Sequence, residues 1–404
     1  MNAEPPASYG SEPIRSEPFQ PWPFFERAEI DATVKVLESG RVNYWTGDHG
    51  RLFEEEFASY TGCRYAVALA NGTVALEAAL LAFGIGSGDE VIVPSRTFVA
   101  TASSVVLQGA RPIMADVDPV SQNITAETVR NLITPRTRAI IAVHLAGWPC
   151  DMDPLIELAR GKGIRLIEDC AQAHGATYKG RPAGSLGDIA AFSFCQDKIM
   201  TTGGEGGMLT TDDQDIRERV WSYKDHGKSY DAVYNHDHPV GFRWLHESFG
   251  TNWRLTEVQS AIGRLQLAKL DSWLESRRHN AAMLTEGFST ISAIRLTVPP
   301  PEVEHSYYKY YCFIKPEMLR EGWDRDRIMR AVSDEGIPCF SGTCGEIYLE
   351  RAFVDGGLTP SERLPQARKL GETSLMFQVH PTLGTREMQE TCAAVEKVFN
   401  RAAI

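Results

Sequence analysis

From about residue 64 the chain alternates short apolar runs with amphipathic stretches of helical spacing, and this rhythm constrains the fold more than any other feature. The runs Tyr65 to Leu69, Glu90 to Val93, Arg111 to Ala115, Ala139 to Val143 and Ile164 to Ile167 read as strands, with helical spacing filling the gaps. Strands that are apolar nearly end to end need cover on both faces. The expectation is therefore an α/β fold in which a mostly parallel sheet is sandwiched by helices. This large domain is expected over residues 21–265, after a polar, Pro/Glu/Ser-rich flexible segment over 1–20. A smaller C-terminal α+β domain over 266–404 is predicted from a strand at Tyr310 to Ile314 and helices at Arg325 to Glu335 and Arg386 to Arg401. A long amphipathic helix from Thr256 to Glu286 leads into it, and the polar, aromatic, His-containing stretch Ser229 to Gly250 is a loop of functional or partner-facing type.

With 41 Lys+Arg against 53 Asp+Glu the net charge is −12, which argues against nucleic acid or a membrane surface as partner. The eight cysteines lack CxxC pairs and metal-ligand spacing, so they read as free thiols of a reducing cytoplasm, with no metal site. No apolar run reaches the length of a membrane span.

The chemistry centres on Lys198, which lies between the apolar run Ile189 to Phe194 and the glycines at 203, 204, 206 and 207. Upstream, the run ending Leu166-Ile167-Glu168-Asp169 delivers an acid to the carboxyl end of a strand, the edge where ligands bind in such sheets. An amine and an acid meeting there suit pyridoxal phosphate, the lysine forming a Schiff base and Asp169 holding the pyridine nitrogen protonated. Asn71-Gly72-Thr73 opens a helix after the first strand and offers an anion cradle, although the same residues make an ordinary N-cap turn. Phe98 stands at the same edge as a stacking ring or a core aromatic. Gln172 is placed to reach a ring hydroxyl or to sit on the surface, and Ser193 to bind phosphate or its own backbone. The later glycines match neither the Walker nor the dinucleotide fingerprint and read as a sharp turn beside the lysine.

Over nearly its whole length the chain resembles the pyridoxal-phosphate-dependent nucleotide-sugar aminotransferases of the DegT/DnrJ/StrS type, which have the aspartate aminotransferase fold (PLP fold type I). The likeness is carried by Asn71-Gly72-Thr73-Val74-Ala75-Leu76, Gly88 to Pro94, Val143-His144-Leu145-Ala146-Gly147, Glu168 to Gly175, and Phe192-Ser193-Phe194 through Lys198 to Gly207. By position it implies that Lys198 carries the cofactor, Asp169 contacts its ring nitrogen, Gln172 its hydroxyl, and Phe98 its face. Gly72, Thr73 and Ser193 would hold the phosphate. Asn252 in Gly250-Thr251-Asn252-Trp253-Arg254 matches an asparagine that members supply from the neighbouring subunit, which implies a homodimer with shared sites.

The resemblance further implies transfer of an amino group from an amino acid, glutamate, to a keto-sugar nucleotide, with Lys198 as the proton carrier. Thr201-Thr202 leans the reading toward C4 of the sugar, and Lys198 argues against the dehydrating branch that carries histidine there. Tyr44, Arg254 and His305 are substrate candidates by position. The chain departs from the common pattern at Cys195-Gln196-Asp197 and at Cys339 to Cys344, where many members have a His-Tyr-x-Pro segment. A pyridoxal enzyme with other chemistry, or a non-catalytic regulator of the same fold, stays open at this level.

Overall fold

The computed structural model describes residues 12–237 and 243–404. In chain order it contains α1 (Arg27–Ser39), α2 (His49–Thr61), β1 (Tyr65–Leu69), α3 (Gly72–Ala82), β2 (Glu90–Pro94), α4 (Ala100–Leu107), β3 (Arg111–Ala115), α5 (Ala126–Arg130), β4 (Thr137–Val143), α6 (Met152–Lys162) and β5 (Arg165–Asp169). There follow the two-residue strands β6 (Thr177–Tyr178) and β7 (Arg181–Pro182), then β8 (Ile189–Ser193), β9 (Gly207–Thr211), α7 (Gln214–Lys224), α8 (Tyr230–Tyr234), α9 (Glu257–Leu267) and α10 (Leu270–Phe288).

Seven strands form one sheet in the order β1-β9-β8-β5-β4-β2-β3. β9 runs antiparallel to both neighbours, and the remaining pairings are parallel. Alternate residues serve opposite faces: Ile140 and Ala142 pack with Val129 and Leu155, while Ile141 and Val143 pack with Leu80 and Val105. This is the expected sandwich. Its parallel crossovers bring the carboxyl ends of β2, β4, β5 and β8 to one edge.

Two local expectations fail. The glycine cluster reads from sequence as a turn alone, yet its last glycine begins β9, where Gly207 pairs with both Leu69 and Ser193. A β-carbon on Gly207 would lie 2.3 Å from the carbonyl oxygen of Asn71, so close contact rather than flexibility requires the glycine. The single helix expected from Thr256 to Glu286 is two helices, α9 and α10. No glycine or proline marks the break; Lys269 at the junction is held by Glu29 at 2.7 Å and Glu26 at 3.0 Å, which ties the start of α10 to α1.

The C-terminal part adds β10 (Ile294–Leu296), β11 (Val303–Glu304), β12 (Tyr310–Ile314), α11 (Arg325–Asp334), α12 (Arg351–Asp355), α13 (Pro365–Thr373), β13 (Ser374–Phe377) and α14 (Thr385–Ala402). The antiparallel sheet β10-β12-β13 shares a core with α10, α11 and α14 through Phe288, Ile328, Leu375 and Val398. Residues 12–20, expected to be flexible, run against this part. The Arg15 amide donates to the Glu335 carbonyl at 3.0 Å, its guanidinium meets Glu387 and Glu390, and Phe19 packs on the core. Residues 1–11 lie outside the described residues, as does His238. Among the described residues no helix is long and apolar enough to cross a membrane.

Candidate active site

The first group at the sheet edge is built on the start of α3. The Asn71 side chain caps the helix by accepting from the Val74 amide at 3.0 Å, and the Ala75 amide bonds to the Asn71 carbonyl. The amides of Gly72 and Thr73 are left outside the helix's own ladder, pointing out of its positive end. Gly72 lies against Ser193: a β-carbon there would stand 2.6 Å from the Ser193 β-carbon and 3.0 Å from its hydroxyl oxygen. Two helix-start amides and a strand-end hydroxyl therefore share one small space, the arrangement that receives a phosphate.

Asp169 ends β5 and is buried. One carboxylate oxygen accepts from the Thr101 hydroxyl at 2.9 Å, the other from the Ala171 amide at 3.1 Å. Burial pushes its pKa up, while Thr101, the Ala171 amide and the charge of Lys198 act the other way. A carboxylate held dry in this manner favours a partner that brings its own proton, as a pyridinium does. Gln172 accepts from the Ala146 amide through Oε1 at 2.7 Å, which leaves its NH2 as the free donor. Phe98, between β2 and α4, is 62 % exposed, an unusual state for so large an aromatic beside a buried acid.

Behind Asp169 sits a tight polar knot. Glu168 accepts from His144 Nε2 at 2.9 Å and from the amides of Gly184, Leu186 and Gly187 at 2.8 to 3.0 Å. The Cys150 amide donates to His144 Nδ1 at 3.0 Å, so the ring carries its proton on Nε2. Burial alone would raise the Glu168 pKa, but His144 and these amides bring it below the ordinary carboxylate value. His144, Glu168 and Cys170 lie near enough to one another to suggest a metal, yet the lone pairs of Glu168 and His144 are committed to hydrogen bonds. The trio serves to fix β5.

Lys198 lies just past β8 on a turn closed by its own amide to the Cys195 carbonyl, and its carbonyl accepts from Trp22 Nε1 at 2.8 Å. Its ammonium stands over the ring of Tyr308, 4.9 Å from the centroid. Tyr308 donates its hydroxyl to Asp197, and its amide bonds to the Ala146 carbonyl at 2.8 Å, next to the amide that orients Gln172.

The other predicted residues make contacts of their own. Tyr44 is only 2 % exposed: it donates to Glu54 at 3.0 Å, accepts from Trp221 Nε1, and has the Lys224 ammonium 4.3 Å from its ring. Its side chain is enclosed by these partners, which position in the sequence could not reveal. His305 is buried with its ring 3.9 Å from that of Tyr307 and its Nδ1 accepting the Tyr307 amide, and burial, aided by Arg278, lowers its pKa to about 3. Arg254 donates to the buried Asp225 at 2.8 Å. Asn252 is exposed, on a segment that bridges Asp225 and runs beside the end of β1. His236 pairs with Asp231 at 2.7 Å on the exposed surface.

Sequence reasoning missed Thr101, Tyr308, Lys309 and Arg277. Thr97 and Thr101, bonded hydroxyl to hydroxyl at 3.0 Å, show the four-residue spacing of a helix start, which was a usable signal beside Phe98. The Tyr307 to Tyr311 run gave no hint of which ring faces Lys198.

The chain is similar to known proteins over most of its length. The DegT/DnrJ/EryC1/StrS aminotransferase family matches residues 24–396. The crystal structure of an aminotransferase from Psychrobacter cryohalolentis is 52 % identical, covers 95 % of this chain and 99 % of its own, and superposes with a TM-score of 0.93. GDP-perosamine synthase of Caulobacter vibrioides is 47 % identical over 88 % of this chain and 92 % of its own length. dTDP-3-amino-3,4,6-trideoxy-alpha-D-glucose transaminase of Streptomyces venezuelae is 36 % identical over 93 % of each.

Proposed function

We propose that this chain, which belongs to the DegT/DnrJ/EryC1/StrS aminotransferase family, moves an amino group from glutamate to C4 of a 4-keto-6-deoxy sugar carried on a nucleotide. Members of the family are pyridoxal-5′-phosphate-dependent transaminases. The residues at the sheet edge fit that cofactor. The amides of Gly72 and Thr73 with the hydroxyl of Ser193 would hold its phosphate, Asp169 its ring nitrogen, the NH2 of Gln172 its hydroxyl, and the exposed face of Phe98 its ring.

When bound, pyridoxal phosphate supplies the carbonyl carbon that takes up an amino group and the ring that delocalises the charge left by a lost proton. Lys198 Nζ would anchor it and, once released, would move a proton from the donor's α-carbon to the cofactor's exocyclic carbon in the first half of the reaction, and by the reverse path to the sugar carbon in the second. Asp169 keeps the proton at the ring nitrogen throughout, and the Thr101 hydroxyl holds the Asp169 carboxylate toward that task. Asn252, exposed on its own subunit, completes the phosphate site of a neighbouring copy, so the working unit is a cytoplasmic homodimer.

The observation that carries this reading is the company Lys198 keeps: a buried strand-end acid and an anion cradle at the same edge of one sheet. The names of the relatives, a GDP-perosamine synthase and a transaminase of a dTDP-linked 3-amino sugar, support a sugar nucleotide as acceptor. Purified protein in its amine-loaded form, offered a series of keto-sugar nucleotides, is expected to transfer its amino group to a 4-keto-6-deoxy sugar. No response to any of them sinks the sugar assignment. Lys198→Ala is expected to lose both turnover and the visible absorbance of the bound cofactor; a variant that kept both would refute the role of the lysine.

A further inference from the structure

Asp197, the residue before Lys198, stands among three neighbours in the structure. Asp197 accepts the hydroxyl of Tyr308, lies 3.9 Å from the ammonium of Lys309, and adjoins Lys198 in the chain. The ammonium groups of Lys198 and Lys309 both stand over the ring of Tyr308, 4.9 and 4.7 Å from its centroid. Two lysines and one carboxylate thus meet around a single tyrosine.

From this geometry we infer that Asp197 and Lys309, joined through Tyr308, are positioning residues that act with opposite sign on the protonation of the cofactor linkage that Lys198 would carry. The inference rests on the reading of Lys198 as the cofactor-bearing lysine. Asp197 favours a positive charge on Lys198 by direct attraction, and Lys309 disfavours it by repulsion. Tyr308 keeps the two in register, because its hydroxyl fixes the carboxylate while its ring accepts both cations on its electron-rich face.

The remaining charged and titratable groups around the cluster come from other elements. Asp169 on β5 lowers its own cost of ionisation through Lys198. His174 is buried with both ring nitrogens unpartnered, and its pKa falls to about 3 through burial and the charges of Lys198 and Arg277. Arg277 on α10 donates to the Tyr307 and Tyr308 carbonyls at 3.2 Å and holds its charge against burial, which lowers its pKa to about 9. None of these contacts Asp197 by a hydrogen bond, so Asp197 is the group whose removal changes the balance most directly. Lys309, lowered to about 8 by burial despite Asp197, carries its charge below that pH and loses it above.

The test is a pH titration of the visible band of the cofactor on Lys198 in the holoenzyme, run for wild type, Asp197→Asn, Lys309→Met and Lys309→Arg. The midpoint is expected to fall by about one pH unit in Asp197→Asn and, below about pH 8, to rise by about as much in Lys309→Met. Lys309→Arg should keep the wild-type midpoint. Midpoints that stay put in both charge-removing variants, or move in the same direction, overturn the proposal. If Lys309→Met fails to fold, Asp197→Asn decides alone, since that side chain is 55 % exposed and its replacement leaves the core untouched. Absence of the band from the wild type would sink the Lys198 assignment itself, a failure distinct from an intact band with unmoved midpoints.

Discussion

Gly72 and Ser193 approach so closely that a β-carbon on Gly72 would lie 3.1 Å from the Ser193 α-carbon as well as within clashing distance of its side chain. Turning a rotamer cannot relieve contact with backbone. Gly72→Ala should therefore push the start of α3 away from β8, costing about 1 to 3 kcal/mol as overpacking does. The same displacement spreads the anion cradle, and titration of the cofactor-free variant is expected to show about a tenfold or greater loss of pyridoxal phosphate affinity. Unchanged affinity would mean that the cradle lies elsewhere.

Asp169 sets function against stability. Burial raises its folded pKa above the ordinary 3.8, so as pH rises the unfolded chain gives up this proton before the folded one does. Over that interval the unfolded state binds fewer protons, and stability falls with rising pH. Asp169→Asn removes the loss. Unfolding curves of the cofactor-free proteins should separate in favour of the variant as pH climbs from below 3.8 toward neutrality, while turnover drops about a hundredfold or more. A variant less stable than wild type at neutral pH would contradict the assigned direction.

Tyr44→Phe separates burial from substrate contact. The hydroxyl bridges Glu54 of α2 and Trp221 of α7, so its loss should lower stability by about 1 kcal/mol. KM for the sugar nucleotide should stay at the wild-type value in steady-state assays. A raised KM with unchanged stability would restore Tyr44 to the substrate site.

Hybrid dimers test the shared site. Each of Lys198→Ala and Asn252→Ala alone should be nearly inactive, because every site then lacks one required group. Unfolded and refolded together in equal amounts, they should recover about one quarter of wild-type activity: about half the dimers are hybrids, and each hybrid has one intact site. No recovery, with dimers formed, would place Asn252 and Lys198 in the same subunit's site.

The sheet was legible because its strands are apolar on both faces, a pattern no surface element shows. β9 escaped because a glycine needed for close approach looks the same in sequence as a glycine needed for a turn. Asp169 and Lys198 stood out since one ends an apolar run and the other follows soon after one, where a charged group draws notice. Thr101, Tyr308 and Lys309 did not stand out, because their places come from contacts across the fold, and the burial of Tyr44 was hidden because proximity along the chain says nothing of which side chains the packing encloses. Asp197, an oddity as sequence, acquires a reason only once Tyr308 and Lys309 stand beside it.

Trp22 gives its indole N–H to the carbonyl of Lys198, and Ile14 and Arg15 before it are pinned to Glu335, Glu387 and Glu390 of the C-terminal part. Anyone preparing this protein for study meets the consequence at the bench. A deletion that runs past residue 22, chosen to tidy a tail, would strip a hydrogen bond from the backbone of Lys198. Cloning boundaries at this end are therefore choices about the enzyme's chemistry, not only about its solubility.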